Sequence, residues 1–257
     1  MDKFIINGGI PLHGEVTPGG NKNAALPLLS ACLLSEEPVT LRNVPDIKDV
    51  QIMGELIQSL GVEIKKLEAT TWQIHAKEIH PTDLDPDLCR KIRASILLAG
   101  PVVAKTGNLQ LPPPGGDVIG RRRVDTHLLA LEKLGAEVHY DRAFKFKAKG
   151  LKGADILLDE TSVTATENAI MASVLARGMS IIRNAASEPH VQDLCHLLNA
   201  MGAKISNIGS NTLNIEGVPA LHGADFEIGP DYLEVISFVG AAAVTRGEIT
   251  IKNAGVQ

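Results

Sequence analysis

A four-residue phrase that recurs three times constrains the fold of this chain more than any other feature. It reads Leu-Gly-Val-Glu at 60–63, Leu-Gly-Ala-Glu at 134–137 and Met-Gly-Ala-Lys at 201–204. Each copy ends an amphipathic helical pattern, and its glycine stands where the C-terminus of a helix favours a residue that tolerates positive φ. Alternating strand patterns follow, as at 72–75 and 212–215.

A second phrase interleaves with the first. Val-Thr-Leu-Arg-Asn at 39–43 returns as Ser-Ile-Ile-Arg-Asn at 180–184 and Ile-Thr-Ile-Lys-Asn at 249–253, with a weaker copy at 108–111. Each copy follows an Ala/Leu-rich helical pattern and a turn. The unit is therefore helix, strand, helix, strand and strand, and it returns roughly every 70 residues. We expect an α/β fold in which the helices share a core and the sheets lie outside.

Three complete units and the opening of a fourth are present before the sequence stops at Gln257. The last predicted strand is followed by neither a helix nor a closing hairpin, so its apolar face would lack a partner. We therefore expect a chain truncated within a second set of repeats. A naturally short product is the alternative.

Composition narrows the fold class and the kinds of partner. The 257-residue chain is 44% hydrophobic but only 3% aromatic. Abundant aliphatic residues and glycine favour helices packed on sheets over an aromatic-rich β-sandwich. The formal net charge of −5 argues against a nucleic-acid binder that relies on a broad basic face.

The sequence does not predict export or a membrane span. The N-terminus lacks the long apolar core and the small-residue cleavage site of a secretory signal. The longest apolar stretch, 235–244, is about half the length that crosses a bilayer. Cys32, Cys89 and Cys195 lack metal-ligand spacing, so we expect buried thiols in a reducing compartment. We expect a soluble cytoplasmic protein without membrane or nucleic-acid partners.

The first candidate binding segment is a Gly-Gly turn at 19–20 that leads into a helix beginning near Asn23. Free backbone N–H groups and the helix dipole favour an anion there, and Lys22 adds a positive charge. The segment matches neither a Walker loop nor a dinucleotide fingerprint. An ordinary capped turn is the alternative.

The second candidate is the run from 112 to 123, in which three prolines and two glycines precede Asp117 and three arginines. A stiff arm with a flexible tip suits a lid, and lid closure could desolvate Asp117 for proton transfer. The planar guanidinium groups of Arg121, Arg122 and Arg123 suit a phosphate or diphosphate. A solvated basic turn is the alternative.

Weaker candidates lie elsewhere in the chain. Arg93 is a cation at the start of a predicted helix, where an anionic ligand or an ion pair would relieve its conflict with the helix dipole. The hydroxyl-rich run at 162–168 precedes an apolar helix, and capping explains much of it. Glu188 and Asp231 carry still weaker signals. The eight histidines form no zinc-like or Ser/His/Asp pattern, so we expect no metal site.

Six segments together resemble the enolpyruvyl transferase family, in particular its members that act on UDP-N-acetylglucosamine. They are GGNKNAALP (19–27), RASILLAGP (93–101), PGGDVIGRRRVDTH (114–127), SVTATEN (162–168), NAASEPHVQD (184–193) and PDYLE (230–234). The resemblance implies an inside-out α/β barrel of repeated βαβαββ units. One domain would comprise 22–229 with three units and the lid. The partial second domain would comprise 1–21 and 230–257.

The resemblance also implies a reaction. The enolpyruvyl group of phosphoenolpyruvate is transferred to the 3′-hydroxyl of UDP-N-acetylglucosamine with release of phosphate, the first committed step of peptidoglycan synthesis. No metal or organic cofactor is implied. The aspartate base and several clamping arginines of the family would lie beyond Gln257, so we expect this chain to be inactive or nearly so. A non-catalytic sugar-nucleotide-binding paralogue and a transferase acting on shikimate 3-phosphate are the alternatives.

Roles follow position by position from the resemblance. Lys22, Arg93 and Arg122 match residues that hold the carboxylate and phosphate of phosphoenolpyruvate, and Asp117 matches the lid residue proposed as general acid. The positions that match sugar-nucleotide contacts are Asn23, Arg122, Arg123, Val124, Asp125, Thr126, Ser162, Val163 and Thr164.

Several of these positions depart from the commoner pattern of the family. Asp117 stands where most relatives have the cysteine that fosfomycin alkylates, so we expect insensitivity to fosfomycin. Arg123, Thr126 and Thr164 also differ from the commoner residues, and glycine is common in place of Thr164.

Overall fold

The computed structural model describes residues 3–82, 84–116 and 123–255. Three helix–strand–helix–strand–strand units follow one another, as the repeats predict. After β1 (His13–Val16), the first unit contains α1 (Lys22–Ala31), β2 (Val39–Arg42), α2 (Lys48–Ser59), β3 (Glu63–Glu68) and β4 (Thr71–His75). The second contains α3 (Pro86–Lys91), a 3-10 helix (Arg93–Leu98), α4 (Ala99–Thr106), β5 (Asn108–Leu111), α5 (Asp125–Lys133), β6 (Glu137–Asp141) and β7 (Ala143–Lys147).

The third unit contains β8 (Asp155–Leu157), α6 (Val163–Ser173), β9 (Met179–Arg183), α7 (Pro189–Ala200), β10 (Lys204–Ser206) and β11 (Thr212–Glu216). The chain continues through β12 (Asp225–Glu227), α8 (Tyr232–Thr245) and β13 (Glu248–Ile251). The predicted strands at 72–75 and 212–215 correspond to β4 and β11, and the repeated second phrase corresponds to β2, β9 and β13. These sequence predictions are confirmed.

Each unit forms its own sheet. The strand orders are β12-β2-β4-β3, β5-β7-β6 and β10-β11-β9-β8. β8 pairs in parallel with β9, and β12 pairs in parallel with β2, so the strand that follows the third unit completes the sheet of the first. Within the described ranges, main-chain pairing does not join the three sheets, so the barrel expected from the resemblance is not closed by hydrogen bonds.

The helices fill the space between the sheets. Every residue of α1 from Ala24 to Ala31 is buried, as is every residue of α6 from Ala165 to Ser173. A helix that is enclosed on all sides belongs in an interior, which fits the largely apolar sequence of α1. The buried surface of α6 also includes polar side chains, among them Glu167 and Asn168. α6 packs against α4, α5 and α7, while α1 packs against α2 and α7. The predicted arrangement of inner helices and outer sheets is confirmed.

Glycine and asparagine end the repeated elements in a left-handed conformation. Gly61, Gly135 and Gly202 have φ values of 87°, 97° and 97°, as their positions after helices predict. Asn43 and Asn184, which follow β2 and β9, have φ values of 56° and 58°. Their side-chain amides donate to the carbonyl groups of residues 228 and 158, at 2.9 and 3.0 Å. The repeated asparagines therefore tie equivalent strands together.

The elements at the two ends of the described chain pack with each other. β1 pairs in parallel with β13, and α8 packs on β13 but has no buried residue. A bridge between Gly20 and Pro230 links this part to the rest, together with a 2.8 Å bond from the amide of Asp231 to the carbonyl of Gly19. No helix in the described ranges has the length and apolar character needed to cross a bilayer.

Candidate active site

Five of the residues predicted to bind substrates line one cleft of about 550 Å³, namely Lys22, Asn23, Arg93, Val163 and Thr164. They come from three different units, and each lies at or next to the start of a helix. Helix starts present backbone N–H groups and positive dipole ends, so their convergence favours an anionic ligand. The folded chain thus brings together segments that are far apart in sequence.

Lys22 is held at the first turn of α1. The side chain of Asn21 caps this helix by accepting from the amides of Asn23 and Ala24, at 2.8 and 3.3 Å. The preceding Gly20 cannot carry a side chain, because a Cβ atom there would lie 1.8 Å from the carbonyl oxygen of Asn43. The helix therefore begins at a fixed point, close to the predicted start.

The ammonium group of Lys22 lies 3.1 Å from the carboxylate of Asp49, which also lines the cleft. Both side chains are about two-fifths exposed, so the ion pair orients Lys22 more than it stabilises the fold. Sequence reasoning missed Asp49. Its only signal was its place in the first turn of α2, where an acidic residue is ordinary.

Arg93 lies where the two ends of the predicted lid approach the body of the protein. Its Nη2 atom donates to the carbonyl of Arg123 at 2.7 Å. On the other side, the amides of Gly115 and Gly116 donate to the carbonyls of Cys89 and Arg90, at 3.0 and 3.2 Å. Gly116 itself lines the cleft. Asp117, Arg121 and Arg122 lie outside the described residues, but the residues that flank them converge on Arg93.

Two carboxyl groups face the same cleft from α6 and from the start of α7. Glu167 is 1% exposed, and one oxygen of Glu167 and one of Glu188 are enclosed without a hydrogen-bond partner in the described part of the chain. Burial and then the charge of Glu188 raise the pKa of Glu167 well above its ordinary value. The sequence analysis named Glu188 only as a weak candidate. It missed Glu167 as a separate residue, because Glu167 lies in the run at 162–168 that helix capping largely explains.

His190 and Tyr232 close the cleft where α7 meets α8. Their rings are stacked with centroids 6.1 Å apart, and the hydroxyl of Tyr232 lies 3.3 Å from Nδ1 of His190. Burial lowers the pKa of His190 and raises that of Tyr232. Neither residue carried a separate sequence signal. Asp231, a weak candidate, caps α8 by accepting from the amides of Leu233 and Glu234.

The other predicted nucleotide-binding residues form a second group around the start of α5. Asp125 pairs with the guanidinium of Arg123, and the hydroxyl of Thr126 donates to Asp159 at 2.6 Å. Asp125 and Asp159 line a more open cleft of about 660 Å³. Val124 is the half-buried residue before α5. Ser162 caps α6 by accepting from the amide of residue 165, as the capping alternative predicts.

Thr164 connects the first cleft with a buried polar network. Its hydroxyl lies 3.1 Å from Nε2 of His127, whose Nδ1 lies 2.8 Å from the amide nitrogen of Asn168. Burial, and then the charge of Arg93, lower the pKa of His127 to about 3. The imidazole is therefore neutral over the whole physiological range. Sequence reasoning missed the network, because histidine, threonine and asparagine at these spacings have no signature.

Comparison with known proteins identifies the family. A model of the family described as EPSP synthase (3-phosphoshikimate 1-carboxyvinyltransferase) matches residues 6–257. The UDP-N-acetylglucosamine 1-carboxyvinyltransferase of Treponema denticola is 57% identical over 251 residues, which cover 98% of this chain and 59% of the relative. That of Bradyrhizobium diazoefficiens is 56% identical over 255 residues, which cover 99% and 59%. This chain thus spans 59% of the length of these curated relatives.

Solved structures agree on the fold. The enolpyruvyl transferase NikO from Streptomyces tendae superposes with a TM-score of 0.79 at 24% identity, over 91% of this chain and 56% of NikO. The EPSP synthase from Acinetobacter baumannii gives a TM-score of 0.77 at 18% identity, over 98% of this chain and 58% of that enzyme. Since the family match covers nearly the whole sequence, the chain belongs to the EPSP synthase (3-phosphoshikimate 1-carboxyvinyltransferase) family of enolpyruvyl transferases.

Proposed function

We propose that this chain provides the sugar-nucleotide side of a site for enolpyruvyl transfer from phosphoenolpyruvate to the 3′-hydroxyl of UDP-N-acetylglucosamine. The single observation that carries the proposal is that Lys22, Arg93 and Thr164 line one cleft although they belong to three different units. The two relatives named above are UDP-N-acetylglucosamine 1-carboxyvinyltransferases, which supports the choice of acceptor.

Lys22, Arg93 and Arg122 are proposed to bind the phosphate and carboxylate of phosphoenolpyruvate. Lysine supplies a compact charge and arginine a planar fork, so together they fix both the position and the orientation of an anion. Asp49 holds the ammonium of Lys22 at 3.1 Å, which places that charge before a ligand arrives. A preorganised charge of this kind stabilises charge that develops during reaction without further rearrangement.

The proposed chemistry has two steps. The 3′-oxygen bonds to C2 of phosphoenolpyruvate while its proton passes to a base, and C3 gains a proton from Asp117 acting as general acid. The tetrahedral intermediate then loses a proton from C3 as its C2–O bond to phosphate breaks. The residues proposed to hold the sugar nucleotide are Asn23, Arg122, Arg123, Val124, Asp125, Thr126, Ser162, Val163 and Thr164.

We also propose the domain division 22–229 against 1–21 with 230–257. In the described ranges, the buried hydrophobic core runs from Ala24 to Ile228, and α8 contributes no buried residue, which supports this division. A cytoplasmic location is proposed on separate grounds. The three cysteines are buried and unpaired, as is usual in a reducing compartment.

Calorimetry with the full 257-residue chain tests the function. We expect UDP-N-acetylglucosamine to bind, and Lys22→Ala to weaken the binding of phosphoenolpyruvate to the loaded chain. Lys77→Ala is the matched control, because Lys77 is exposed and does not line the cleft. No binding of UDP-N-acetylglucosamine, or preferred binding of shikimate 3-phosphate, would overturn the proposal.

Phosphate release from phosphoenolpyruvate, measured with the same preparation, separates catalysis from binding alone. Release that depends on UDP-N-acetylglucosamine supports transferase activity of this chain. Binding without release agrees with the proposal, which assigns this chain one side of the site only.

A further inference from the structure

A chain of hydrogen bonds runs from the backbone near α4 to the cleft. The amide of Gly100 donates to Oδ1 of Asn168 at 2.7 Å, and Nδ2 of Asn168 donates to the carbonyl of Ile96 at 2.9 Å. The same Nδ2 lies 2.8 Å from Nδ1 of His127, and Nε2 of His127 lies 3.1 Å from Oγ1 of Thr164. Thr164 is the member that lines the cleft.

The backbone decides which way the amide of Asn168 points. A backbone N–H can only donate and a carbonyl can only accept. Exchanging the oxygen and nitrogen of Asn168 would place two donors 2.7 Å apart at Gly100 and two acceptors 2.9 Å apart at Ile96. The side chain is also enclosed, with no measurable exposure. Both hydrogens of its Nδ2 therefore point away from Gly100, one to Ile96 and one to His127.

This orientation fixes the tautomer of His127. Nδ1 must accept from Asn168, so the single proton of the neutral imidazole lies on Nε2. An imidazolium would place a second donor against Nδ2 of Asn168 at 2.8 Å. His127 is 3% exposed, and its burial disfavours the charged form independently. Nε2–H therefore donates to Thr164.

A hydroxyl that accepts one hydrogen bond still has its own proton to donate. In the described part of the chain, the hydroxyl of Thr164 has only His127 as a hydrogen-bond contact. The hydrogen bond from Nε2–H of His127 occupies one side of the hydroxyl oxygen, so the proton of the hydroxyl points away from the imidazole. The cleft is lined by the cations Lys22, Lys91 and Arg93 and by the carboxyl groups of Asp49, Glu167 and Glu188. Because the raised pKa of Glu167 favours its neutral form, the cations outnumber the other two carboxylates, and the cleft favours an acceptor that carries negative charge.

We propose that Thr164 is a specificity-determining residue whose hydroxyl donates to a phosphoryl oxygen of the bound nucleotide, oriented through Gly100, Asn168 and His127. This inference rests on the proposed function and names one contact within it. A glycine at this position would lack the donor altogether. This chain of hydrogen bonds, called the relay below, leaves the hydroxyl of Thr164 only its own proton to share with a ligand. The cleft therefore favours acceptor oxygens over donor groups at this point.

Calorimetry on the full chain tests the donor. Thr164→Val keeps the shape but removes the hydroxyl, and Thr164→Ser restores it. We expect Thr164→Val to weaken both UDP-N-acetylglucosamine and UDP about tenfold or more, as for loss of a hydrogen bond to a charged group. Thr164→Ser should remain within about threefold of the parent. Equal affinities of the valine variant and the parent would overturn the proposal, and a loss confined to UDP-N-acetylglucosamine would overturn the phosphoryl assignment.

Failure of the proposed function is distinguishable from failure of this inference. If the parent chain binds neither ligand, the proposed function fails whatever the variants do. The relay has a ligand-free readout as well, because ¹⁵N chemical shifts of the imidazole report its tautomer. We expect His127 with its proton on Nε2, both in the parent and in Thr164→Val. A proton on Nδ1 would overturn the relay.

Discussion

The neutral, enclosed imidazole of His127 makes the folded chain sensitive to acid. Its pKa is about 3 in the folded chain, against 6.5 for an ordinary histidine. Between these values the unfolded chain binds a proton that the folded chain does not, so stability falls as the pH falls below about 6.5 and levels off below about 3. Protonation of His127 in this pH range lowers the free energy of the unfolded state only.

The magnitude follows from the two pKa values. At about 1.4 kcal/mol per pKa unit, the contribution lost is about 3 kcal/mol at pH 4 and about 5 kcal/mol below pH 3. Small domains have a total free energy of unfolding of about 5–15 kcal/mol, so the titration of His127 alone is expected to remove a substantial fraction of it in acid. Glu167 acts in the opposite direction. Its raised pKa makes the folded chain bind a proton first on acidification, which stabilises it.

A difference measurement isolates His127 from the other titrating groups. We would unfold the parent and His127→Gln in urea at pH 7, 6, 5 and 4. The stability advantage of the parent is expected to shrink by about 3 kcal/mol across this range. His139→Gln is the matched control, since it removes an exposed imidazole on β6 and leaves the network intact. A difference between parent and His127→Gln that stays constant with pH would refute the reasoning.

Three further predictions concern the same cleft and its surroundings. Gly20→Ala should cost about 1–3 kcal/mol by overpacking against the carbonyl of Asn43, whereas Gly8→Ala, with nothing within 4 Å of its Cβ, should be nearly neutral in the same urea assay. Glu167→Gln should become more stable relative to the parent as the pH rises from about 4.5 to 7. In this range the carboxyl of Glu167 ionises freely in the unfolded parent but not in the folded parent, so the folded parent loses stability, and glutamine removes this loss. A gain that is equal at pH 4 and pH 7 would contradict this. Fosfomycin should leave the mass of the intact protein unchanged, because the resemblance to the family matches Asp117 to the position of the reactive cysteine, and burial raises the pKa of all three thiols of this chain. An adduct on any of these four residues would contradict the prediction.

Local patterns in the sequence determined the elements and their order. The glycine after each amphipathic run predicted the ends of α2, α5 and α7, because a left-handed residue is needed within a few positions of a helix terminus. The two interleaved phrases predicted α/β units of one design. Resemblance brought Lys22, Arg93 and Thr164 into one hypothesis, and the fold places all three on the same cleft.

Tertiary structure alone decided which polar groups meet. Lys22 pairs with Asp49 across 27 positions, and His127 meets Asn168 across 41. It also decided that Glu167 and Glu188 share a cleft and that Asp125 lies with Asp159 in another. That the three sheets remain separate also depends on how the units pack together. Periodicity records hydrogen bonding within one helix or strand, whereas these contacts depend on how helices from different units pack, and packing leaves no local signature in the sequence.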